Sequence, residues 1–147
     1  MWRGQFIEEF ALAETSVSEA LAFLAGVASE GAKSLLPHLM GQRFAALKSV
    51  VDGPLAIQGC RAAKVLDEFG DLHQLRHFLC HGSSTVAVDQ HGRWRLTLHL
   101  LIFRNGTVER DTKQVTSDEA DHALERLRSA RLRLDGQLKG MLASFRR

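Results

Sequence analysis

The sequence has little of what would assign it to several common protein classes. It contains only two cysteines, Cys60 and Cys80, and only two prolines in 147 residues. Both cysteines fall inside helical patterns, where a reduced, packed thiol is commoner than a disulfide, so we expect them to be structural. No apolar run reaches the ~18 residues of a membrane span, and the first residues lack the apolar stretch of a signal peptide. We therefore expect a protein of the cytoplasm with no membrane contact.

Excess charge of one sign is also absent. The chain carries 19 basic and 17 acidic residues, a formal net charge of +2. Domains that bind nucleic acid by charge usually have a concentrated basic face, so any such contact here must be local. There is no Gly-rich phosphate loop and no Gly-x-Ser-x-Gly elbow. With 45% hydrophobic residues, residues 1–147 are enough for one buried core and too few for two ordinary domains.

The first half of the chain has the periodicity of helices. From Gln5 to about Ser29, apolar residues recur every three or four positions, which predicts a long amphipathic helix. A second helix is predicted from about Met40 to Val51. A third is predicted from Pro54, whose ring suits a first helical turn, to Gly70.

The segment from Asp71 to Gly82, called the motif helix below, combines a helical pattern with reactive side chains. Asp71 is expected to be its N-cap and Gly82 to end it. Its buried face is predicted to consist of Leu72, Leu75, Phe78 and Leu79. The helix carries Arg76 in its body and His81 in its last turn. Arginine matches a phosphate with a planar charged fork, and histidine exchanges a proton near neutrality, so the two are a minimal set for cleaving RNA without a metal.

After the motif helix the period changes to two residues. This pattern predicts strands at Thr85 to Val88 and at Arg95 to Phe103. Asn105-Gly106 is the strongest hairpin signal in the chain, because both residues tolerate the positive φ of a type I′ turn. We therefore expect a small antiparallel meander of three strands at about residues 84–113.

The last helix is predicted to begin at Thr116, which forms a capping box with Glu119. It should run almost to the end of the chain, with a leucine-rich inner stripe and a basic outer face. Arg128 and Arg131 of that face are candidate substrate-binding residues. A basic helix face is more often solvated surface than an RNA contact, and that ordinary interpretation stays open.

Two further sets of side chains have competing interpretations. Glu14 lies at the edge of the apolar stripe of the first helix, where it can be half-buried and face Arg76, although a solvated glutamate is more ordinary. His73, His77 and His81 recur every four residues, a spacing that also suits metal ligands on a helix. No Asp, Glu or Cys elsewhere completes a ligand motif. A metal site and a set of solvated histidines both remain alternatives to a nucleolytic site.

Residues 76–82, RHFLCHG, resemble the signature of the HEPN superfamily (higher eukaryotes and prokaryotes nucleotide-binding), which often reads Arg-Asn-x-x-x-His-Gly. Arg76, His81 and Gly82 match it, whereas His77 stands where asparagine is most usual. The predicted layout is also similar, with a helical bundle whose motif ends the penultimate helix and a β segment before the closing helix. The predicted fold class is mainly α, or α+β by content: an up-and-down bundle of four to five helices with a small antiparallel meander before the last one.

The resemblance implies an activity and the residues that carry it. A HEPN-type protein of this kind would be an endoribonuclease without metal or other cofactor, in which Arg76 binds the scissile phosphate of RNA. His81 would move a proton at the ribose 2′-hydroxyl, with His77 and Glu14 as lesser candidates. Because asparagine is replaced by His77, a non-catalytic module that binds nucleotides or proteins remains an alternative.

The resemblance also implies partners. HEPN proteins are commonly homodimers that bring two motifs toward a shared cleft, and many are toxins with an antitoxin partner. The sequence adds its own argument for a dimer, because Leu132 and Leu142 flank the inner stripe of the last helix with more apolar surface than one bundle face needs.

Overall fold

The computed structural model describes residues 1–27, 37, 39–53 and 55–146. Among them are five α-helices, one three-stranded sheet and a short 3₁₀ helix. In chain order they are α1 (Trp2–Val27), α2 (Met40–Asp52), α3 (Ala56–Asp67), α4 (Gly70–His81), β1 (Ser83–Val88), β2 (Trp94–Arg104), β3 (Thr107–Thr116), α5 (Ser117–Ala143) and η1 (Ser144–Arg146). The predicted mainly helical fold with a meander before the last helix is confirmed. The predicted helix end at Ser29 and helix start at Pro54 lie outside the described residues.

The first helix begins earlier than its periodicity predicts. It starts at Trp2 instead of Gln5, because the Trp2 indole packs on Phe6 with 5.6 Å between ring centroids. The indole Nε1–H also donates a hydrogen bond to the Ala120 carbonyl of α5 at 2.7 Å. The apolar stripe of α1 therefore extends one turn back from Phe6 to Trp2, and the hydrogen bond to Ala120 ties this turn to α5.

The junction between α3 and α4 is fixed by aromatic burial. α3 ends at Asp67, before the predicted Gly70, and α4 begins after a short turn. Phe69 occupies the N-cap position without a side-chain hydrogen bond, so the prediction that Asp71 is the N-cap is wrong. Phe69 is fully buried, which holds the turn in place. Asp71 lies in the first turn, where a negative charge is favourable, and pairs with Arg126 at 2.9 Å.

The sheet has the order β1-β2-β3, so β1 and β3 are both edge strands. It spans Ser83 to Thr116, slightly wider than the predicted 84–113. Asn105 and Gly106 have φ values of 50° and 77°, which confirms the predicted tight turn between β2 and β3. One face of β2 is buried against the helices through Leu96, Leu98 and Leu100.

A single core lies between the helices and this face of the sheet. α1 packs along α5, and α4 packs on both α1 and β2. Its largest fully buried side chains include Phe6, Phe10, Leu47, Phe69, Leu79, Leu98, Leu127 and Leu134. Because α4 contacts both layers, its C-terminal end lies where the helices meet the sheet.

The last helix begins as predicted, but only one of the two leucines expected on its outer surface is exposed. Both halves of the Thr116–Glu119 capping box are formed. Leu142 is half-buried and packs against the core, whereas Leu132 is exposed. Of the two leucines that predict a dimer face, only Leu132 is therefore available to a partner.

The two cysteines and the lengths of the apolar helices bear on two predictions made from the sequence. Cys60 and Cys80 are both free thiols. Cys60 is exposed, so the prediction that both thiols are packed is wrong for it, while Cys80 is half-buried. Of the helices in the described part of the chain, none is long and apolar enough to cross a membrane.

Candidate active site

The candidate side chains on α4 occupy two environments. Arg76 is half-buried, whereas His77 and His81 are exposed, with 5.0 Å between their ring centroids. His77 and His81 are one helical turn apart and so share a face, while Arg76 and His81 differ by about 140° around the helix axis. The structure thus brings the two histidines together and turns Arg76 toward α1.

Glu14 is the partner of Arg76. Its Oε1 lies 3.0 Å from Arg76 Nη2, and the residue is only 8% exposed. The interpretation of Glu14 as a solvated helix glutamate is therefore wrong. Burial raises the pKa of the Glu14 carboxyl, and the opposing effects of the Arg76 and Arg43 charges are smaller. Arg43 is held nearby, because its Nη1 donates to Ser18 Oγ at 3.1 Å.

Two buried polar atoms in the described residues have no hydrogen-bond partner: Glu14 Oε1 and His73 Nε2. Arg76 Nη2 is close enough to Glu14 Oε1 for an ion pair but is not aligned for a hydrogen bond. His73 lies against Phe10 and Phe44, with ring centroids at 4.8 Å and 4.5 Å. Burial lowers the pKa of His73, and the charge of Arg76 lowers it further. His73 is therefore a half-buried histidine whose surroundings favour the neutral ring.

The separation of His73 from His77 and His81 bears on whether the three histidines can bind one metal ion. His73 is packed among aromatic rings, whereas His77 and His81 face solvent. Within the described ranges, no group of three or more His, Cys, Asp or Glu side chains is placed to hold a metal ion. The alternative of a metal site formed by His73, His77 and His81 is therefore not supported by the described residues.

Two contacts that the sequence did not predict fix the C-terminal end of α4: a hydrogen bond from Arg3 and a close backbone approach at Gly82. The Arg3 guanidinium donates a hydrogen bond to the Leu79 carbonyl, which brings a positive charge to the negative end of the helix beside His81. Gly82 ends the helix with φ −85° and ψ 151°, so no left-handed conformation is involved. A Cβ on Gly82 would lie 2.6 Å from the Phe78 carbonyl oxygen and 3.0 Å from that of His99. Gly82 is therefore needed for close approach of two backbones.

The predicted substrate-binding arginines are bound to carboxylates. Arg128 Nε and Arg131 Nε contact the two oxygens of Glu9 on α1 at 3.0 Å and 2.7 Å. Arg131 also contacts Asp135 at 3.2 Å. The basic face of α5 is thus largely neutralised by acidic neighbours, and it helps to join α5 to α1. Whether Arg128 or Arg131 also contacts a substrate stays a prediction.

Comparisons of the chain with protein-family models, with curated proteins and with solved structures found no match. The chemistry of the site therefore rests on its own geometry. Two exposed imidazoles can both reach one phosphodiester, and a guanidinium held by a buried carboxylate lies on the same helix. The two imidazoles can transfer protons at two oxygens of one phosphate, and Arg76 offers a cation on the side of α4 that faces α1.

Proposed function

We propose that this protein is a metal-independent endoribonuclease of the HEPN type. The observation that carries the proposal is the exposed pair of His77 and His81, whose ring centroids are 5.0 Å apart at the end of α4. Cleavage of RNA without a metal needs one group to accept a proton and another to donate one, and two adjacent imidazoles can supply both. Support also comes from Arg76, Gly82 and the layout that resembles this superfamily.

The proposed reaction is attack of a ribose 2′-hydroxyl on the adjacent phosphorus. His77, as the neutral imidazole, takes the proton from the 2′-oxygen while the O2′–P bond forms. His81, as the imidazolium, gives its proton to the departing 5′-oxygen while the P–O5′ bond breaks. The products are a 2′,3′-cyclic phosphate and a 5′-hydroxyl.

Arg76 would bind the scissile phosphate. Its guanidinium has five N–H donors, and the two on Nη2 lie against Glu14, which leaves the three on Nε and Nη1 for a phosphate. A side chain that is only 28% exposed and already held by an ion pair loses little freedom on binding. Glu14 is therefore proposed as the residue that positions Arg76, and a preorganised cation of this kind stabilises charge that develops on the phosphate oxygens.

We also propose the partners that the HEPN resemblance implies and the compartment expected from the sequence. RNA would be the substrate, the cytoplasm the site of action, and the chain the toxin of a pair with an antitoxin protein. A homodimer belongs to the proposal as well. The alternative is a module that binds nucleotides or proteins without catalysis, and the experiment below distinguishes the two.

The test is cleavage of mixed-sequence RNA by the purified chain in EDTA, with analysis of the 3′ ends. We expect cyclic phosphate ends for the wild type. His81→Ala and His77→Ala should each lower the rate by ~10²–10⁴, the usual loss on removing a positioned proton-transfer group. Both side chains are exposed, so the fold should be unchanged. His91→Ala, in the exposed turn between β1 and β2, is the matched control and should cleave normally.

Arg76 needs a milder substitution, because removing it would leave the buried Glu14 carboxylate unpaired. Arg76→Lys keeps a cation for Glu14 and loses the planar fork, so cleavage should fall by ~10²–10³ while the circular dichroism spectrum stays unchanged. Cleavage that requires added metal, or that survives His81→Ala, would rule out this mechanism. No cleavage by a folded wild type would favour the non-catalytic binding module.

A further inference from the structure

The two edges of the sheet differ in their charge. β3 carries Glu109, Arg110, Asp111 and Lys113, whereas β1, with the sequence SSTVAV, has neither a charged residue nor a proline. Edge strands expose unpaired backbone N–H and C=O groups, which natural proteins protect with charges, prolines or bulges. The pairing of β1 with β2 is continuous over all of β1, so no bulge protects this edge. β1 is therefore the unprotected edge.

β1 also exposes apolar side chains beside buried ones. Val86 and Val88 are 63% and 65% exposed. Val86 lies opposite Leu96 and Val88 lies opposite Trp94, so both valines share the face of the sheet that packs on the helices. The apolar row of β2 thus continues onto an edge strand that the described part of the chain leaves uncovered.

We propose that β1 pairs antiparallel with β1 of a second copy, so that two three-stranded sheets become one continuous sheet. A two-fold axis perpendicular to the sheet keeps each face on its own side, so only residues of the same face can lie opposite one another. An axis through any residue of β1 meets this condition, and we place it at the exposed Val86. It places the two Val86 side chains together and Ser84 opposite Val88.

The chemistry of β1 favours a second copy over other occupants. Because the strand has no charge, two copies can pair without like charges opposite each other, and the strand offers nothing to attract a strongly charged partner. Pairing also covers the exposed Val86 of one copy with Val86 of the other. One pair of short strands buries less than the ~1,000 Å² of a lasting interface, so the dimer should be weak and reversible.

This interface does not depend on the proposed ribonuclease activity. Along the paired strands, Gly82 of one copy is four residues from the axis at Val86, as is Gly82 of the other. At ~3.4 Å per residue the two motif ends are therefore about 27 Å apart. Each copy would keep its own pair of His77 and His81, in contrast to the shared cleft that the HEPN resemblance implies.

The test is sedimentation velocity of the full chain from about 1 µM to about 500 µM, a range in which a small interface can associate. The wild type should form a dimer reversibly. Val86→Lys should raise the dimer Kd at least ~10-fold, because two lysines would meet at the axis. Val108→Lys is the matched control: Val108 is 57% exposed on the other edge strand, and its substitution should leave the Kd unchanged.

A charge swap tests the register. An equimolar mixture of Val86→Lys and Val86→Glu should recover the wild-type Kd to within about threefold, since lysine then faces glutamate across the axis. A wild type that stays monomeric over the whole range overturns the proposal. A dimer that Val86→Lys leaves intact, or that Val108→Lys disrupts equally, overturns it as well. If the mixture fails to associate, the axis is not at Val86.

Discussion

At the scale of single residues, the most unusual feature is a histidine that the fold keeps neutral. His73 lies between Phe10 and Phe44 with Nε2 unpaired, and burial lowers its pKa. The unfolded chain takes up a proton at this position as the pH falls below the ordinary histidine value of 6.5, whereas the folded chain takes it up only at a lower pH. The unfolded state then binds more protons, so this group's contribution to stability is present above pH 6.5 and is lost below it.

We expect His73→Leu to remove this acid sensitivity. The free energy of unfolding, measured by urea titration, should fall less between pH 7.5 and pH 5.5 in the variant than in the wild type, because leucine cannot take up a proton. Leu75→Ala is the control, since it should cost ~2–5 kcal/mol at either pH and keep the wild-type pH dependence. An identical pH dependence in His73→Leu and the wild type would contradict the buried neutral state.

Glu14 acts in the opposite sense. Burial raises its pKa, so the folded chain binds this proton more readily than the unfolded chain. Its contribution to stability is present below the ordinary glutamate value of 4.5 and is lost as the pH rises through the raised value. At neutral pH the buried carboxylate therefore costs stability, which is consistent with a residue retained to position Arg76.

At the scale of elements, the joint between α4 and β1 gives the sharpest prediction. Gly82→Ala would place a methyl group 2.6 Å from the Phe78 carbonyl oxygen and 3.0 Å from that of His99. Backbone atoms cannot move as a flexible side chain can, so we expect a loss of ~1–3 kcal/mol in the free energy of unfolding. Gly136→Ala is the matched control.

The two substitutions add the same methyl group in different surroundings. Gly136 lies inside α5, and apart from the neighbouring backbone of the helix itself nothing lies within 4 Å of the added Cβ, so alanine there should stabilise the helix by up to ~1 kcal/mol. Urea unfolding followed by circular dichroism measures both changes. Equal stability of Gly82→Ala and the wild type would show that the two backbones are not this close in solution.

The elements differ in how much of them the sequence predicts. Residue periodicity reports which side chains are buried, so it predicted the helices and the meander. The Thr116–Glu119 capping box was also predicted, because both partners lie within one helical turn. The start of α4 was not predicted correctly, because it depends on the burial of Phe69 against residues distant in sequence. This burial outweighs the local preference of Asp71 for an N-cap position.

The candidate site likewise has some features that the sequence predicts and others that depend on tertiary packing. The positions of Arg76, His77 and His81 on one helix follow from spacing alone, and so does the contact between the two histidines. The pairing of Arg76 with Glu14 depends on how α1 packs against α4, which spacing within either helix does not fix. Arg3 gave no signal, because its partner is a backbone carbonyl of another helix.

At the scale of the whole molecule, the arrangement of two copies has a consequence for activity. If β1 forms the interface, each proposed active site would lie within one chain, about 27 Å from the other along the paired strands. We therefore expect Val86→Lys to be monomeric and to cleave RNA at the wild-type rate per chain. Cleavage assays below and above the dimer Kd measure this, and a rate that falls as the dimer dissociates would instead favour a shared cleft.

The packing of Trp2 in the first turn of α1 also determines which part of the molecule its intrinsic fluorescence monitors. The chain has two tryptophans and no tyrosine, and the indoles of Trp2 and Trp94 are 5.9 Å apart at an angle of 45°. Their transitions are therefore close enough to couple, and nearly all intrinsic emission originates from this one pair. A change in fluorescence thus records separation of the N-terminal turn from the sheet, and the histidine pair on α4 needs a probe of its own.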